Sequence, residues 1–305
     1  MTGGAGFIGS NLVKLLRNEG HTVVVLDNLL SGYRVNLKPF TDVEFIEGDI
    51  RDESAVDRAM AGVDVVFHLA ASVGNTRSIE HPIEDSEINV IGTLRVLEAM
   101  RKHNVGKIVA TSSAGIFGQL KTLPIAESHP IDPDSPYGAS KLAAEKHVLA
   151  YGKLYDMQTV CLRYFNVYGV NQRYDAYGNV IPIFAYRMFN NKPVTIFGDG
   201  EQTRDFINVT DVARANYQAA TTDGVFGAFN LGSATRITIN SLVEIMSEVS
   251  GINPTVQHGP ERPGDVRDSL ADISAAQTAF GFEPAVKLVD GLNEYMKWAE
   301  EVLKD

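Results

Sequence analysis

Apolar runs and helical spacings alternate regularly along the first half of the chain. Short runs rich in Val, Ile and Leu predict buried strands, at residues 22–26, 43–47, 63–69, 107–111 and 158–163. Between them, apolar residues recur every three or four positions and predict helices, at residues 10–18, 53–60, 85–103 and 137–154. This alternation predicts an α/β fold, a doubly wound parallel sheet of the Rossmann type covered on both faces. Such sheets bind ligands at the carboxyl ends of their strands.

The pattern changes beyond Val167. The segment 171–179 is polar and rich in Gly and Tyr, and further helices are predicted at 239–249 and 289–302. We therefore predict a cofactor-binding domain at 1–167 and a smaller lobe, mainly for substrate, at 168–305. Because no long linker separates them, we expect the active site in the cleft between the two.

Composition limits the classes of partner. With 44% hydrophobic residues, the chain of 305 residues can bury a substantial core. The formal net charge of −11 disfavours loose binding to nucleic acid or to anionic lipid. The single cysteine, Cys161, lies in an apolar run and is expected to be a buried thiol. No apolar run is long enough to span a membrane and no signal peptide is recognised, so we expect a cytoplasmic protein. The scattered histidines lack ligand spacing, and no metal site is predicted.

A glycine-rich loop opens the chain, with the sequence GGAGFIG at residues 3–9. Without side chains, its backbone amides could approach a pyrophosphate at the start of the following helix, although a plain strand-to-helix turn has the same pattern. Asp27 favours the dinucleotide, since it ends the next predicted strand 18 residues after Gly9. A carboxylate there accepts ribose hydroxyls and repels a 2′-phosphate, which favours NAD over NADP.

The chain begins almost directly at this loop, with Met1 and Thr2 alone before it. Such a loop ordinarily follows a strand at the middle of the sheet. We expect that the natural reading frame starts earlier; the alternative is a missing strand, which would expose the edges of its neighbours.

Tyr137 and Lys141 stand four residues apart on one face of a predicted helix. A solvated surface pair would have the same spacing. However, the hydroxyl-rich run 111–113 ends a predicted strand at the edge of the sheet where the cofactor is expected. We therefore predict a catalytic group of Ser113, Tyr137 and Lys141.

Seven ordered motifs resemble the extended short-chain dehydrogenases/reductases over essentially the whole chain, and among them the UDP-glucose and UDP-N-acetylglucosamine 4-epimerases. The motifs are GGAGFIG, HLAA at 68–71, TSSAGIFG at 111–118, YGASK at 137–141, RYFNVYG at 163–169, IFGDGEQTRDF at 196–206 and RPGDVRDSLAD at 262–272. The resemblance implies bound NAD and a UDP-sugar substrate.

The resemblance also implies the roles of the catalytic group. Tyr137 removes the proton of the sugar 4-hydroxyl while a hydride passes from C4 to NAD, and Ser113 hydrogen-bonds the same oxygen. Lys141 holds the nicotinamide ribose and, together with the nicotinamide cation, is expected to lower the pKa of Tyr137. The 4-keto sugar then turns over and takes the hydride back on its other face, so NAD stays bound throughout.

The remaining contacts are likewise implied by the resemblance. Cofactor contacts fall on Gly3, Gly6, Phe7, Ile8, Gly9, Asp27, Asn28, Gly32, Asp49, Ile50, Leu69, Ala70, Ala71, Asn89, Ser112, Tyr137, Lys141 and Tyr164. Substrate contacts fall on Ser113, Tyr137, Asn166, Val180, Thr195, Phe197, Arg204, Arg262 and Asp265. Phe197 could equally be strand core, and His68, on an apolar strand, is expected to be a structural hydrogen-bonding group.

The residues after Ser113 separate the reactions of this family. Dehydratases and UDP-glucuronate decarboxylases carry acids there, whereas this chain has Ala114 and Gly115, which favours epimerisation. The alternatives are another nucleotide-sugar enzyme or a noncatalytic NAD-binding regulator. A small Ser269 leaves room for an N-acetyl group, and Phe117 lacks the hydroxyl that relatives often place near the sugar.

The resemblance also implies an assembly. The predicted helices 85–103 and 137–154 resemble the pair that forms a four-helix interface in this family. We therefore expect a homodimer.

Overall fold

Helices and parallel strands alternate in the computed structural model of the protein, which describes residues 1–175, 178–261 and 266–304. The strands are β1 (Val24–Asp27), β2 (Glu44–Glu47), β3 (Val66–His68), β4 (Lys107–Ser113), β5 (Gln158–Tyr164), β6 (Asn166–Tyr168), β7 (Val194–Phe197), β8 (Thr203–Arg204), β9 (Phe206–Asn208), β10 (Gly227–Leu231), β11 (Ile237–Thr238) and β12 (Val256–Gly259). The α-helices are α1 (Phe7–Asn18), α2 (Glu53–Met60), α3 (Asn75–Glu80), α4 (Pro82–Ser86), α5 (Thr93–His103), α6 (Pro136–Tyr155), α7 (Val180–Phe189), α8 (Val209–Thr221), α9 (Ile239–Ser250), α10 (Ser274–Phe280) and α11 (Leu288–Leu303).

The main sheet is parallel and follows the predicted fold class. Its order is β2, β1, β3, β4, β5 and β10, with β1 and β3 joined through bridges from Thr2 to Leu26 and to His68. The longest pairing runs from Lys107 opposite Gln158 to Ser113 opposite Tyr164, so β4 and β5 end together. The prediction of a doubly wound Rossmann sheet is confirmed.

Met1 and Thr2 occupy the place of the expected central strand. The Met1 amine donates to the Val24 carbonyl at 2.7 Å, and the Leu26 amide donates to the Met1 carbonyl at 2.9 Å. On the other side, the Leu69 amide donates to the Thr2 carbonyl at 3.2 Å. The neighbouring edges are therefore paired at this point, in contrast to the exposed edges of the missing-strand alternative.

The predicted helix 85–103 is built in three consecutive parts. After α4, residues Glu87–Gly92 form a π-helical segment that leads directly into α5. Gly92 lies so close to the strand-end loop that an added Cβ would approach the Ile50 Cδ1 to 2.5 Å. π-Helical turns are rare in proteins, and those that do occur are often found at functional sites. This one contains Asn89, a predicted cofactor residue.

Elements from the second half of the chain form part of both lobes. Strand β10 pairs with β5 at the edge of the main sheet, and α8 packs on α1. A separate apolar core lies between α7, α9 and α11, around Met246, Leu292 and Tyr295. The sheet therefore takes its outer strand from beyond residue 167, where the sequence pattern changes.

The loop after β6 connects the two lobes. Arg173 lies over the Tyr33 ring at 4.4 Å, and its guanidinium is 5.9 Å from the ring of Trp298 on α11. Arg77 of α3 pairs with Asp175 in the same loop at 2.8 Å. These contacts fix the lobes against each other beside the glycine loop. Across the described residues, no helix has the length and apolar character needed to cross a membrane.

Candidate active site

Ser113 and Tyr137 meet at the carboxyl edge of the sheet. Ser113 is the last residue of β4, and Tyr137 lies in the first turn of α6, whose start is capped by Ser135 accepting from the Gly138 amide at 3.1 Å. The Tyr137 and Ser113 side chains are hydrogen-bonded. A Cβ added to Gly115 would lie 3.3 Å from the Ser113 Oγ and 3.7 Å from the Tyr137 ring. The position that carries an acid in dehydratases therefore borders this pair directly.

Lys141 is buried one turn further along α6. Its Nζ donates to the Thr111 Oγ1 at 3.2 Å, and burial lowers its pKa to about 8. Burial raises the pKa of Tyr137, and the hydrogen bond from Ser113 offsets only part of that rise. The protein's own groups therefore do not produce the predicted lowering. The nicotinamide cation remains as the expected source of a lower pKa.

The glycine loop fits a dinucleotide closely. Gly3 has a φ of +69°, and a Cβ on Gly9 would lie 2.1 Å from the Gly3 carbonyl oxygen, so neither position accepts a side chain. Helix α1 begins after Gly6 with no side-chain cap and no acidic residue in its first turn, which leaves its amides for an anion. Phe7 and Ile8, at the start of this helix, are half-buried.

Asp27 is held ready beside this loop. Its oxygens accept from the Ala5 amide at 2.9 Å and from the Leu29 amide at 2.8 Å, and burial raises its pKa. Each carboxylate oxygen still has a lone pair for a ribose hydroxyl. A Cβ on Gly32 would lie 2.8 Å from the Asp27 Oδ1, so this glycine keeps the carboxylate accessible. These residues fit NAD, and a 2′-phosphate would meet a negative charge.

The residues predicted at the adenine lie on the next strand end. Asn28 donates to Asp49 at 2.9 Å, and Arg51 binds Asp49 with two nitrogens, which lowers the pKa of this carboxyl to about 2. The Ile50 side chain is buried in the apolar core with Ala55 and Val56 of α2, which leaves its backbone for the predicted contact with adenine. Leu69, Ala70 and Ala71 follow β3 and are half-buried, in positions that border the same edge.

Three predicted cofactor residues direct their side chains to protein partners. The Ser112 hydroxyl donates to Glu145 at 2.8 Å, and the Tyr164 hydroxyl exchanges hydrogen bonds with Asn216. The Asn89 amide binds the backbone of Ser72 and the hydroxyl of Ser140. All three are buried, so only their backbones are placed to reach a cofactor. Strand alternation explains the direction of the Ser112 side chain, because Thr111 and Ser113 point to the opposite face of β4.

His68 has the structural role predicted for it. It bridges the hydroxyls of Thr2 at 2.8 Å and Thr93 at 2.9 Å, and burial lowers its pKa to about 3. The Cys161 thiol is buried, as expected. Within residues 1–175, 178–261 and 266–304, no group of His, Cys, Asp or Glu side chains is arranged to hold a metal ion.

The predicted substrate residues lie on short elements of the second lobe. Asn166 begins β6, Val180 begins α7, and Thr195 and Phe197 share one face of β7. The Arg204 guanidinium on β8 donates to the Thr203 carbonyl at 2.9 Å. Arg262 and Asp265 lie outside the described residues.

Phe117 and Phe197 lie in different surroundings. Phe117 is fully buried, with its ring edge-on to His129 at 5.5 Å and the Arg163 guanidinium at 5.2 Å from its centre. Its ring therefore belongs to the hydrophobic core. Phe197 is half-buried and packs beside Gly259, which leaves both of its interpretations open.

A buried polar group beneath α6 has no counterpart among the residues predicted from the sequence. Asp85 accepts from the Ser140 hydroxyl at 2.5 Å and from Asn89 at 3.3 Å. Ser140 lies within the YGASK motif, but nothing in the pattern links it to a carboxylate 55 residues earlier. An acid among the otherwise apolar positions of a predicted helix was the available signal.

Known proteins share this arrangement over nearly the whole chain. The UDP-glucose 4-epimerase of Halalkalibacterium halodurans is 38% identical, covering 99% of this chain and 95% of that protein. The crystal structure of Thermotoga maritima UDP-glucose 4-epimerase with UDP-glucose has a TM-score of 0.94 and 37% identity, covering 99% and 98% of the two chains. That of Methanobrevibacter ruminantium UDP-N-acetylglucosamine 4-epimerase with UDP-N-acetylmuramic acid has a TM-score of 0.93 and 36% identity, covering 97% and 96%. Because the family model also matches residues 1–232, the chain belongs to the NAD dependent epimerase/dehydratase family.

Proposed function

We propose that this protein uses bound NAD to interconvert the C4 epimers of a UDP-hexose. One observation carries the proposal: the hydrogen-bonded Ser113–Tyr137 pair borders Gly115, where elimination chemistry would need an acid. When bound, NAD takes a hydride from the sugar and returns it to the opposite face. The two epimers are thereby exchanged with no net oxidation.

The protein's own groups handle the proton and the alignment. The Tyr137 phenolate accepts the proton of the 4-hydroxyl, and Ser113 donates a hydrogen bond to the same oxygen as it becomes a carbonyl. On the return step, Tyr137 gives the proton back. The buried Lys141 ammonium, held by Thr111, binds the nicotinamide ribose, and the nicotinamide cation favours the phenolate.

The second lobe binds the UDP group. Arg204 supplies positive charge for the diphosphate, with Arg262 as a further cation and Asn166 as a hydrogen-bond donor. Thr195, Phe197, Val180 and Asp265 complete the proposed substrate contacts. This assignment keeps the division into 1–167 for NAD and 168–305 mainly for the UDP-sugar.

The range of sugars is set by space near Ser269. This residue is small and only 8% exposed, and it lies between β12 and α10, where its amide donates to the Thr203 carbonyl of β8. We propose UDP-glucose and UDP-galactose as substrates, with room for their N-acetyl forms.

We also propose a homodimer formed by the helices around α4, α5 and α6. Large apolar side chains are exposed on these elements, with Ile83 at 75%, Ile91 at 47% and Leu154 at 71% of their full exposure. Light scattering at micromolar concentration is expected to give twice the mass of the chain, and a monomeric mass would contradict the dimer. The single buried thiol, Cys161, suits a reducing compartment, and the cytoplasm is the proposed location.

The test follows the configuration at C4 directly. Purified protein is incubated with UDP-glucose and, separately, with UDP-N-acetylglucosamine, without added reductant, and proton NMR reads the sugar. We expect the galacto-configured product to appear with catalytic amounts of NAD. Bound NAD with an unchanged spectrum for both sugars would contradict the proposal.

Tyr137→Phe is the matched control. It keeps the ring beside Gly115 and removes only the hydroxyl that bonds Ser113. We expect this variant to retain NAD and lose turnover. A parent protein as inactive as the variant would favour the noncatalytic regulator.

A further inference from the structure

Asp85 is a buried carboxylate with no ion pair among the described residues. It is 1% exposed, and its oxygens accept from the Ser140 hydroxyl at 2.5 Å and the Asn89 amide at 3.3 Å. Buried carboxylates are ordinarily paired with a cation, since desolvation of an isolated charge is costly. A buried carboxylate without an ion pair at this position beneath α6 is costly, which suggests that it has a function.

The contact partner of Asp85 lies inside the catalytic motif. Ser140 directly precedes Lys141, and its Oγ is also 3.0 Å from the carbonyl oxygen of Tyr137. Asn89, in the π-helical segment, donates to the same Oγ at 2.9 Å. The first turns of α6 are thus clamped from below by Asp85 and Asn89, through one hydroxyl.

The clamp continues towards the glycine loop. The Thr93 hydroxyl donates to the Asn89 carbonyl at 2.6 Å and contacts His68, which in turn contacts Thr2 directly before the loop. Each of these side chains is buried. Fully satisfied buried networks of this kind fix one geometry, here that of the catalytic helix relative to the cofactor loop.

We propose that Asp85 is a positioning residue for catalysis, acting through Ser140 to hold Tyr137 against Ser113 and placing a negative charge under the Tyr137–Lys141 pair. The proposal rests on the proposed epimerase function for its kinetic effect. The effect of the Asp85 charge on the ionisation of Tyr137 does not depend on that function and can be measured without substrate.

The charges around the pair come from four elements. Asp85 on α4 raises the pKa of both Tyr137 and Lys141, and Lys141 also faces Glu145 on its own helix, Cys161 on β5 and His68 on β3. Glu145 is already matched by Arg163, which binds it with two nitrogens at 2.9 and 2.7 Å. Among the described residues, Asp85 is therefore an unmatched negative charge near the phenol.

The test is Asp85→Asn, which keeps the size of the side chain and removes the charge. We expect kcat to fall about tenfold with KM nearly unchanged, because the charge-assisted hydrogen bond from Ser140 is replaced by a weaker neutral one while the substrate groups remain. We also expect the acidic limb of the kcat profile to move to lower pH, since the phenolate no longer faces a carboxylate. An unchanged kcat and an unchanged pH profile would overturn the proposal.

A direct titration separates this proposal from the function itself. Carbon NMR of labelled tyrosine, assigned by the signal lost in Tyr137→Phe, follows the phenol of Tyr137 without any substrate. We expect it to ionise at lower pH in Asp85→Asn than in the parent, and no change would overturn the electrostatic part. If the parent fails to epimerise, the function is refuted, but this titration still tests Asp85.

Two controls separate positioning from plain destabilisation. Ser140→Ala keeps the carboxylate but breaks the contact, so kcat should fall while the pH limb stays in place. Asp211→Asn removes another buried acid, paired with Arg214 on α8, and should lower the melting temperature without moving the Tyr137 titration. If Asp211→Asn moves that titration as Asp85→Asn does, the effect is general loosening and the proposal fails.

Discussion

The residues proposed to hold the cofactor, here called the cofactor side, and those proposed to hold the substrate, here called the substrate side, lie on different kinds of elements. On the cofactor side, Ser113 and Tyr164 end two seven-residue parallel strands, and Lys141 and Asp27 are already held by protein partners. On the substrate side, Arg204 lies in a two-residue strand and Thr195 in a strand of four residues. The difference suits a cofactor that is retained and a substrate that exchanges at every turnover. Substitutions on the cofactor side should therefore reduce stability or bound NAD, whereas substitutions on the substrate side should reduce substrate affinity.

The largest effect is expected beneath the cofactor side, at the buried Glu145–Arg163 pair. Glu145→Gln leaves the guanidinium buried without its counter-charge, which costs about 3 to 5 kcal/mol in the free energy of unfolding. Urea titration measures it, with the exposed Glu98 of the Glu98–Arg101 pair as the matched control, where Gln should change stability little. If Glu145→Gln lowers the free energy of unfolding no more than the control does, the buried Glu145–Arg163 pair does not stabilise the cofactor side.

The second-largest effect is expected from Gly9→Ala, which should reduce the amount of NAD that the protein retains. The added Cβ would lie 2.1 Å from the Gly3 carbonyl, and overpacking of this kind costs about 2 to 3 kcal/mol. We expect the protein to be purified with far less NAD, as measured by absorbance after denaturation. Gly106→Ala, where no atom lies within 4 Å of the new Cβ, should keep its NAD.

Arg204→Ala tests the substrate side alone. Loss of a charged hydrogen bond to a diphosphate should raise KM for the UDP-sugar about tenfold, with bound NAD and kcat little changed. Arg58→Ala, on the surface of α2 and bonded to Ser54, is the control. A variant that loses NAD along with substrate affinity would show that the two sides are coupled.

The smallest effect is expected from pH. Burial lowers the pKa of Lys141 to about 8, so the ammonium is present below that pH and is lost above it. Turnover should therefore fall as the pH rises through about 8, by about a factor of two at the midpoint. Lys141→Arg keeps its charge, and any turnover it retains should extend to higher pH. The same alkaline limb in both proteins would exclude Lys141 as its source.

The cofactor side could be predicted from the sequence because its signals are local. The glycine spacing, Asp27 at a strand end, and Tyr137 four residues before Lys141 each follow from backbone geometry, and the structure brings them to one sheet edge. The observed strand ends differ from the predicted ones by up to three residues, as at β3, where pairing with β4 is confined to Val66–His68.

Contacts between distant segments could not be predicted in this way. The sequence gives no sign that Ser112 turns to Glu145, that Ile50 enters the core, or that Asp85 lies under Ser140. These outcomes depend on which face of a strand or helix is covered in the folded protein. The π-helical turn at Glu87–Gly92, where Gly92 packs against Ile50, is likewise not encoded by any helical spacing.

The loop that joins the lobes gives the molecule an optical reporter. Trp298 is the single tryptophan of the chain, and it shares the Arg173 guanidinium with Tyr33 beside the glycine loop. Indole emission responds to a neighbouring cation, so a change in the separation of the lobes would alter the fluorescence of this one residue. A change of this kind on ligand binding would be visible in the native protein in real time, with no attached dye.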